Sequence, residues 1–355
     1  MNSSLMRRLR SAIAFAALAA CGGGGEQAPP PNRAEDLYVR TGGNDANSGL
    51  TAAEALRQVA TAADRSTPGD RIVVGPGVYT PVNIKNEGTA AQPITFLADA
   101  AGTLTGDAAG EVVLDAAGAE AAFKVSNKSY IIIDGFTATG SAAGNTAGVL
   151  VKSSASHVTI RNCIARGNGG QGIRTADATD VTIANNLVLD NDGFGIQVLG
   201  QVTENQPQSL RVRVYNNTVF ANGSGGITVG SSVRPARDTF FVNNIIDGNS
   251  NAGFGVFTDP PSSLDGLVER YNLNNDGYAG VSMNPLSFSA DPRFRLPPAD
   301  FRLDQLPEQM TTSPAVDAGD PATPADIVEQ VAARTTATSG VADSGRVDLG
   351  YHYPR

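Results

Sequence analysis

The residues best suited to chemistry in this 355-residue chain are a few cations. Lys85, Lys124, Lys128 and Lys152 are its lysines. Lys124, Lys152 and Arg174 each sit in a short apolar or β-branched stretch: Phe123-Lys124-Val125, Leu150-Val151-Lys152 and Ile173-Arg174-Thr175. If those stretches are strands on successive turns of one repeat, the three cations share a face about one strand spacing apart, roughly 4.8 Å. Close cations hold a carboxylate or stabilise an anion as it forms. A lysine among other cations also loses its proton more readily, which suits it to act as a base. The alternative is that the long Lys and Arg stems cover sheet surface and keep their charges in water.

Other polar candidates lie close by in the pattern. Gln197 is the outward residue one repeat after Arg174. Longer loops follow at 200–208, 230–238 and 259–266, and they can wall a groove. Glu204, Arg234 and Arg237 come from neighbouring loops and could grip a ligand, or simply form an exposed ion pair. Calcium is a candidate ligand: Asp177 and Asp180 share one turn, and Asp190 and Asp192 flank Asn191 in the next. Calcium needs six to eight oxygens, and no denser acidic cluster is visible; the metal ligands are left open. His157 and His352 are the two histidines, and His157, at a strand start, reads as a surface residue. No phosphate loop, zinc spacing or Ser-His-Asp arrangement is present.

What must position these side chains is a repeat. Gly followed by an apolar residue recurs at Gly148-Val149, Gly172-Ile173, Gly195-Ile196, Gly226-Ile227, Gly253-Phe254 and Gly280-Val281, at spacings of 24, 23, 31, 27 and 27. A lone Asn precedes it at Asn168, Asn191, Asn222, Asn249 and Asn275. An Asn pair recurs at Asn185-Asn186, Asn216-Asn217 and Asn243-Asn244, with Asn162-Cys163 one unit earlier. Shared irregular spacing in three markers is the signature of stacked units. Units holding only short alternating strands cannot bury a face alone, so they must stack. Asparagines at matching positions then form turn ladders, each bond contributing on the order of 1 kcal/mol. In this register Phe123, Val149, Ile173, Ile196 and Ile227 point inward. Lys124, Leu150, Arg174, Gln197 and Thr228 form one outward column, and Ser126, Lys152, Ala176, Leu199 and Gly230 a second.

The N-terminus and composition bear on compartment and partners. Arg7, Arg8 and Arg10 precede an apolar run from Ala12 to Ala20, the layout of a secretory signal. The run is too short to span a bilayer. Leu18-Ala19-Ala20-Cys21, followed by four glycines, resembles the bacterial lipobox, which implies lipidation at Cys21. Removing residues 1–20 takes away three arginines and moves the net charge from −9 to −12. An acidic surface argues against nucleic acid and against general attraction to anionic membranes. Cys163, inside a strand pattern, reads as a buried inert thiol. The expected product is a monomer in the cell envelope, held to the outer membrane or cell surface only by its lipid.

The repeat resembles that of pectate-lyase-like proteins, closest in layout to the family-nine-type polysaccharide lyases. Residues Tyr38 to Leu50 resemble the opening motif of that family. A helix expected over Ala52 to Ala63 and the stretch Pro68 to Tyr79 continue it. Asp291-Pro292-Arg293-Phe294, Ser313-Pro314-Ala315-Val316-Asp317 and Asp348-Leu349-Gly350-Tyr351 resemble a tail found on exported members. The resemblance implies an all-β fold: a single-stranded right-handed parallel β-helix with an N-terminal helical cap and a C-terminal cap segment. The domain reading is a signal at 1–20, a Gly/Pro-rich tether at 21–35, the β-helix at 36–284 and the capping segment at 285–355.

The resemblance also implies a polysaccharide, uronate-containing, as partner. Lys152 would then be the base and Arg174 the clamp of a β-elimination. Lys124, Gln197, Glu204, Arg234 and Arg237 would bind substrate, and calcium would sit near the base. Tandem Asp and Gly-His-Gly motifs of the polygalacturonase type are absent. One fold hosts many chemistries, so a non-catalytic glycan-binding or adhesive protein stands beside the lyase as the second reading.

Overall fold

The computed structural model describes residues 34–201, 208–258 and 263–355. Cys21 and Glu204 lie outside the described residues. The chain winds as a right-handed parallel β-helix with three sheets. The first sheet has nine strands, from Asp36–Val39 to Val268–Arg270. The second has eight, from Gly77–Tyr79 to Leu273–Asn274, and the third eight, from Val82–Ile84 to Tyr278–Ala279. Phe123, Val149, Ile173, Ile196 and Ile227 pair in register across the third sheet. All five are at most 1% exposed, so this column is core.

The repeat markers have a steric cause. A Cβ on Gly172 would lie 2.4 Å from Val188 Cγ1 and 2.8 Å from Asn191 Nδ2. One on Gly195 would meet Val219 at 2.4 Å and Asn222 Nδ2 at 2.8 Å. At Gly148, Gly172, Gly195 and Gly226 the backbone lies against the ladder Asn beside it, and no side chain fits there. The expected sixth marker, Gly280-Val281, is corrected to Gly277-Tyr278: Tyr278 pairs with Phe254, and Gly280 lies three residues beyond Gly277, against Val256 O. Glycine and asparagine markers therefore share one spacing because they touch. Asn168 Nδ2 donates to Asn191 Oδ1, Asn191 to Asn222 and Asn222 to Asn249, each at 2.8 Å. The expected last rung, Asn275, is corrected to Asp276. Asp276 Oδ2 accepts from Asn249 Nδ2 at 2.8 Å, while Asn275 donates to Asp247 at 2.9 Å outside the ladder. A terminal rung needs only acceptors, which a carboxylate supplies without a leftover donor. A second ladder links Asn186, Asn217, Asn244 and Asn272 at 3.0 Å per step.

Both ends are closed. The helix expected over Ala52 to Ala63 is split into a 3-10 turn at Ala52–Glu54 and α1 at Val59–Arg65. Between them the fully buried Leu56 pairs with the first strand: its N–H donates to Tyr38 O at 2.8 Å, and its carbonyl accepts from Arg40 N–H at 2.9 Å. Burying Leu56 and filling those strand-edge bonds outweighs the helix propensity of the alanines. Val59, Ala62 and Ala63 of α1 then pack on the first coil. At the other end Glu269 occupies the inward position that Val214 and Phe241 hold in earlier coils. Its buried carboxylate accepts from Ser287, Asn272 and Tyr278 at 2.6, 2.7 and 3.0 Å, and from Asn284 N–H at 3.1 Å.

From residue 285 the chain closes this end and then returns along the flank. The left-handed residues Asn185, Asn216 and Asn243, with φ of 55°, 52° and 62°, hold it. Asn185 bonds both backbone groups of His352, Asn216 donates to Asp348 O, and Asn243 accepts from Asp320 N–H. α2, at Ala325–Ala332, lays Ile327 over Ala184, Tyr215 and Val242 on the outside of the first sheet. Phe301 and Tyr351 cover Leu187 and Leu189 on the outside of the second.

Candidate functional site

The C-terminal segment packs on part of the outer faces of the first two sheets, and the outer face of the third carries the cations. Along that face the register runs Lys124, Leu150, Arg174, Gln197, Thr228, Gly255 and Ala279. The column thus passes from long charged side chains to small neutral ones. Leu150 points out yet is fully buried, clustered with Ala121 and Ala147. It lies between Lys124 and Arg174 in the register.

Glu120, in the turn before Ala121–Ser126, organises the cations. Its Oε2 lies 2.7 Å from Lys124 Nζ, and its Oε1 accepts from Lys152 Nζ, one coil further on. Burial raises the Glu120 carboxyl, but the hydrogen bonds and charges of the two lysines outweigh it and hold it below the usual glutamate range. Arg174 is 9% exposed. It donates through Nε to Gln197 Oε1 at 2.8 Å and through a terminal nitrogen to Asn145 O at 2.6 Å. Burial first, and then the charge of Arg234, lower the Arg174 pKa, with Glu120 opposing. Arg234 therefore joins the cluster electrostatically; it reaches from its loop toward Gly200 O at 3.4 Å.

The structure thus brings together Lys124, Lys152, Arg174, Gln197 and Arg234. Arg237 is elsewhere: it lies in Ala236–Arg237, which pairs with Gln208–Ser209, and its guanidinium is 3.8 Å from Asp238. Sequence reasoning missed Glu120. Its available signal is the four-residue step to Lys124, which on a strand carries no expectation of contact. Its reach to Lys152 spans 32 residues and follows only from stacking.

Beside the cations the face opens into a groove of about 710 Å³. Gln197 belongs to both the cation cluster and the groove. Phe194 and Phe257 are half-buried in its walls, and the loops after Val229 and Val256 contribute Ser231 and Thr258. None of its lining residues comes from the C-terminal segment.

Calcium does not fit the described residues. Among the described residues no group of three or more His, Cys, Asp or Glu side chains comes together to hold a metal ion. Asp180 is engaged by Arg211 through two bonds of 2.6 and 2.5 Å, and Asp190 and Asp192 are exposed. His157 is exposed and stacks on Tyr130 with ring centroids 4.5 Å apart. His352 is buried in the C-terminal segment, 2.9 Å from Asp343. Cys163 is buried and its thiol is pushed up to about 12, chiefly by desolvation.

A family model described as Pel9A-like, right handed beta helix region, matches residues 37–197. No curated protein matches the chain. Among solved structures it is similar to an alginate lyase from Paenibacillus sp. str. FPU-7, at 17% identity over 70% of this chain and 82% of that one, with a TM-score of 0.46. The pectate lyase Pel9A is 17% identical over 92% of this chain and 98% of its own, with a TM-score of 0.47. The GH136 lacto-N-biosidase from Eubacterium ramulus is 13% identical over 71% and 58%, with a TM-score of 0.49. These are likenesses of fold.

Proposed function

We propose that the outer face of the third sheet binds a uronate-containing polysaccharide. The observation that carries this reading is the clustering of Lys124, Lys152 and Arg174 on the outer face of the third sheet, in a protein whose net charge is −9. Lys124, Lys152 and Arg174 around one carboxylate, Glu120, leave positive charge for an acidic ligand. Gln197 and Asn145 hold the Arg174 guanidinium in one orientation, which leaves its remaining terminal N–H groups as the donors for a carboxylate. The N-terminal pattern supports an envelope location, with a lipid on Cys21 as anchor and the β-helix acting as a monomer outside the cytoplasm.

Titration of the mature chain with galacturonate oligomers tests the binding face. Lys124→Ala combined with Arg174→Ala abolishes binding; unchanged affinity in a folded double variant overturns the proposal. Cys21→Ser moves the protein from the membrane fraction to the soluble one.

A second reading, β-elimination, is favoured by the extent of the family match, which includes Lys124, Lys152, Arg174 and Gln197. In this reading Lys152, having given up a proton to water, takes as a neutral amine the proton on the carbon α to the uronate carboxylate. The electron pair forms the C=C bond and expels the 4-linked sugar oxygen, which takes a proton from water, while Arg174 holds the carboxylate as negative charge grows on it. Lys152 Nζ donates to Glu120, so the amine must first be released from that carboxylate. Ultraviolet absorbance from unsaturated ends, lost in Lys152→Ala, supports elimination. No absorbance on any polyuronate leaves binding as the function.

A further inference from the structure

The groove continues the cation cluster but differs from it in kind. Lys124 and Arg174 stand at one end of the outward column, and Thr228, Gly255 and Ala279 at the other. No described residue lining the 710 Å³ groove is ionisable. Its walls offer two aromatic rings, Phe194 and Phe257, and amides and hydroxyls such as Gln197, Thr228 and Asn251. Its depth comes from missing side chains: a Cβ on Gly255 would find no atom nearer than 4.0 Å.

That chemistry suits a neutral sugar. The C–H face of a pyranose ring packs on an aromatic ring, and its hydroxyls exchange hydrogen bonds with amides and hydroxyls. The size lies within the range of sites that enclose a small ligand, about 300–1,000 Å³. A second uronate placed here would lose water from its carboxylate and meet no described cation. Burying a charge without a partner is costly.

We infer that the ligand is a mixed-charge heteropolysaccharide, with an acidic sugar on Lys124, Lys152 and Arg174 and neutral sugars along the Phe194–Phe257 groove. This rests on the proposed uronate-binding face and names its substrate class. A homopolymer of uronates matches only the cationic end, and a neutral polymer only the other.

The test compares three probes on the full mature chain by titration calorimetry. They are a galacturonate oligomer (all acidic), a xylose oligomer (all neutral), and a gellan oligomer, in which glucuronate alternates with neutral sugars. The gellan oligomer binds at least tenfold tighter than either of the others. Gly255→Trp, which fills the groove, brings the gellan-to-galacturonate affinity ratio toward one. Phe257→Ala, a loop change that removes one wall, lowers the same ratio and serves if Gly255→Trp does not fold. A galacturonate oligomer that binds as tightly as gellan overturns the inference and leaves the uronate-binding proposal standing. A xylose oligomer that binds as tightly as gellan also overturns it, because the acid then plays no part. Failure of both acidic probes removes the proposal and the inference together.

Discussion

Glu120 is the side chain whose removal separates the readings of this face most sharply. It binds Lys124 and Lys152, so a purely structural view has Glu120→Gln weaken the protein. The side chains concerned are 29–39% exposed, however. Such half-exposed pairs contribute under about 1 kcal/mol each, and the melting temperature therefore moves by only a degree or two. Ligand binding should move the other way. A ligand carboxylate accepting from both ammonium groups would sit about 5 Å from the Glu120 carboxylate. With an effective dielectric between about 20 and 80, the repulsion is roughly 1–3 kcal/mol.

The low end applies at this solvent-exposed rim, so Glu120→Gln tightens uronate binding about fivefold to tenfold. The assay is calorimetric titration with galacturonate oligomers at several salt concentrations. The gain shrinks as salt rises, because the screening length falls from about 10 Å at 0.1 M to about 3 Å at 1 M. An unchanged or weaker affinity in Glu120→Gln would refute the docking of an acid on these cations. Acid gives an independent check. Glu120 is held below the usual glutamate range, so its bridge is present above about pH 4.5 and is lost as pH falls through its lowered pKa.

Three further outcomes test the frame around the site. Asp348, raised to about 6 by burial and then by Asp343, contributes stability below its ordinary 3.8 that is lost as pH rises through about 6. Asp348→Asn should therefore raise the melting temperature at pH 7–8, with a ceiling of about 3 kcal/mol, and change little near pH 4; the opposite pH profile would contradict this. Gly172→Ala puts a Cβ 2.4 Å from Val188 and 2.8 Å from Asn191. It should cost about 2–4 kcal/mol through overpacking and a disturbed ladder bond, read by denaturant unfolding, whereas a neutral effect would deny the steric origin of the repeat. Cys163 should resist alkylation in the native protein and react only on unfolding, since its thiol lies near 12; rapid native labelling would show that the core opens.

The sequence alone determined the stack and the register. From Gly148 to Gly226 a marker glycine and a ladder asparagine are in contact, so these coils carry the same local pattern whatever their loop length, and their spacing can be read in one dimension. At the last coil the pattern lapses, and Gly280 is not its marker. From the regular spacing follow the inward column through Ile173 and the outward one through Lys124, Arg174 and Gln197. The last rung was misread because Asn275 and Asp276 are adjacent, and only the end of a ladder favours a carboxylate. Tertiary structure decided what the pattern does not repeat. The contact of Glu120 with Lys152 crosses coils from a turn. Leu56 leaves a helical sequence to complete a strand edge. The apolar outward residues Leu187 and Leu189 are covered by Phe301 and Tyr351, more than a hundred residues later. These are single, non-periodic contacts between distant segments, whose partners are set by shape and burial in three dimensions. They also build the candidate site, because Glu120 ties cations of two coils together from a turn.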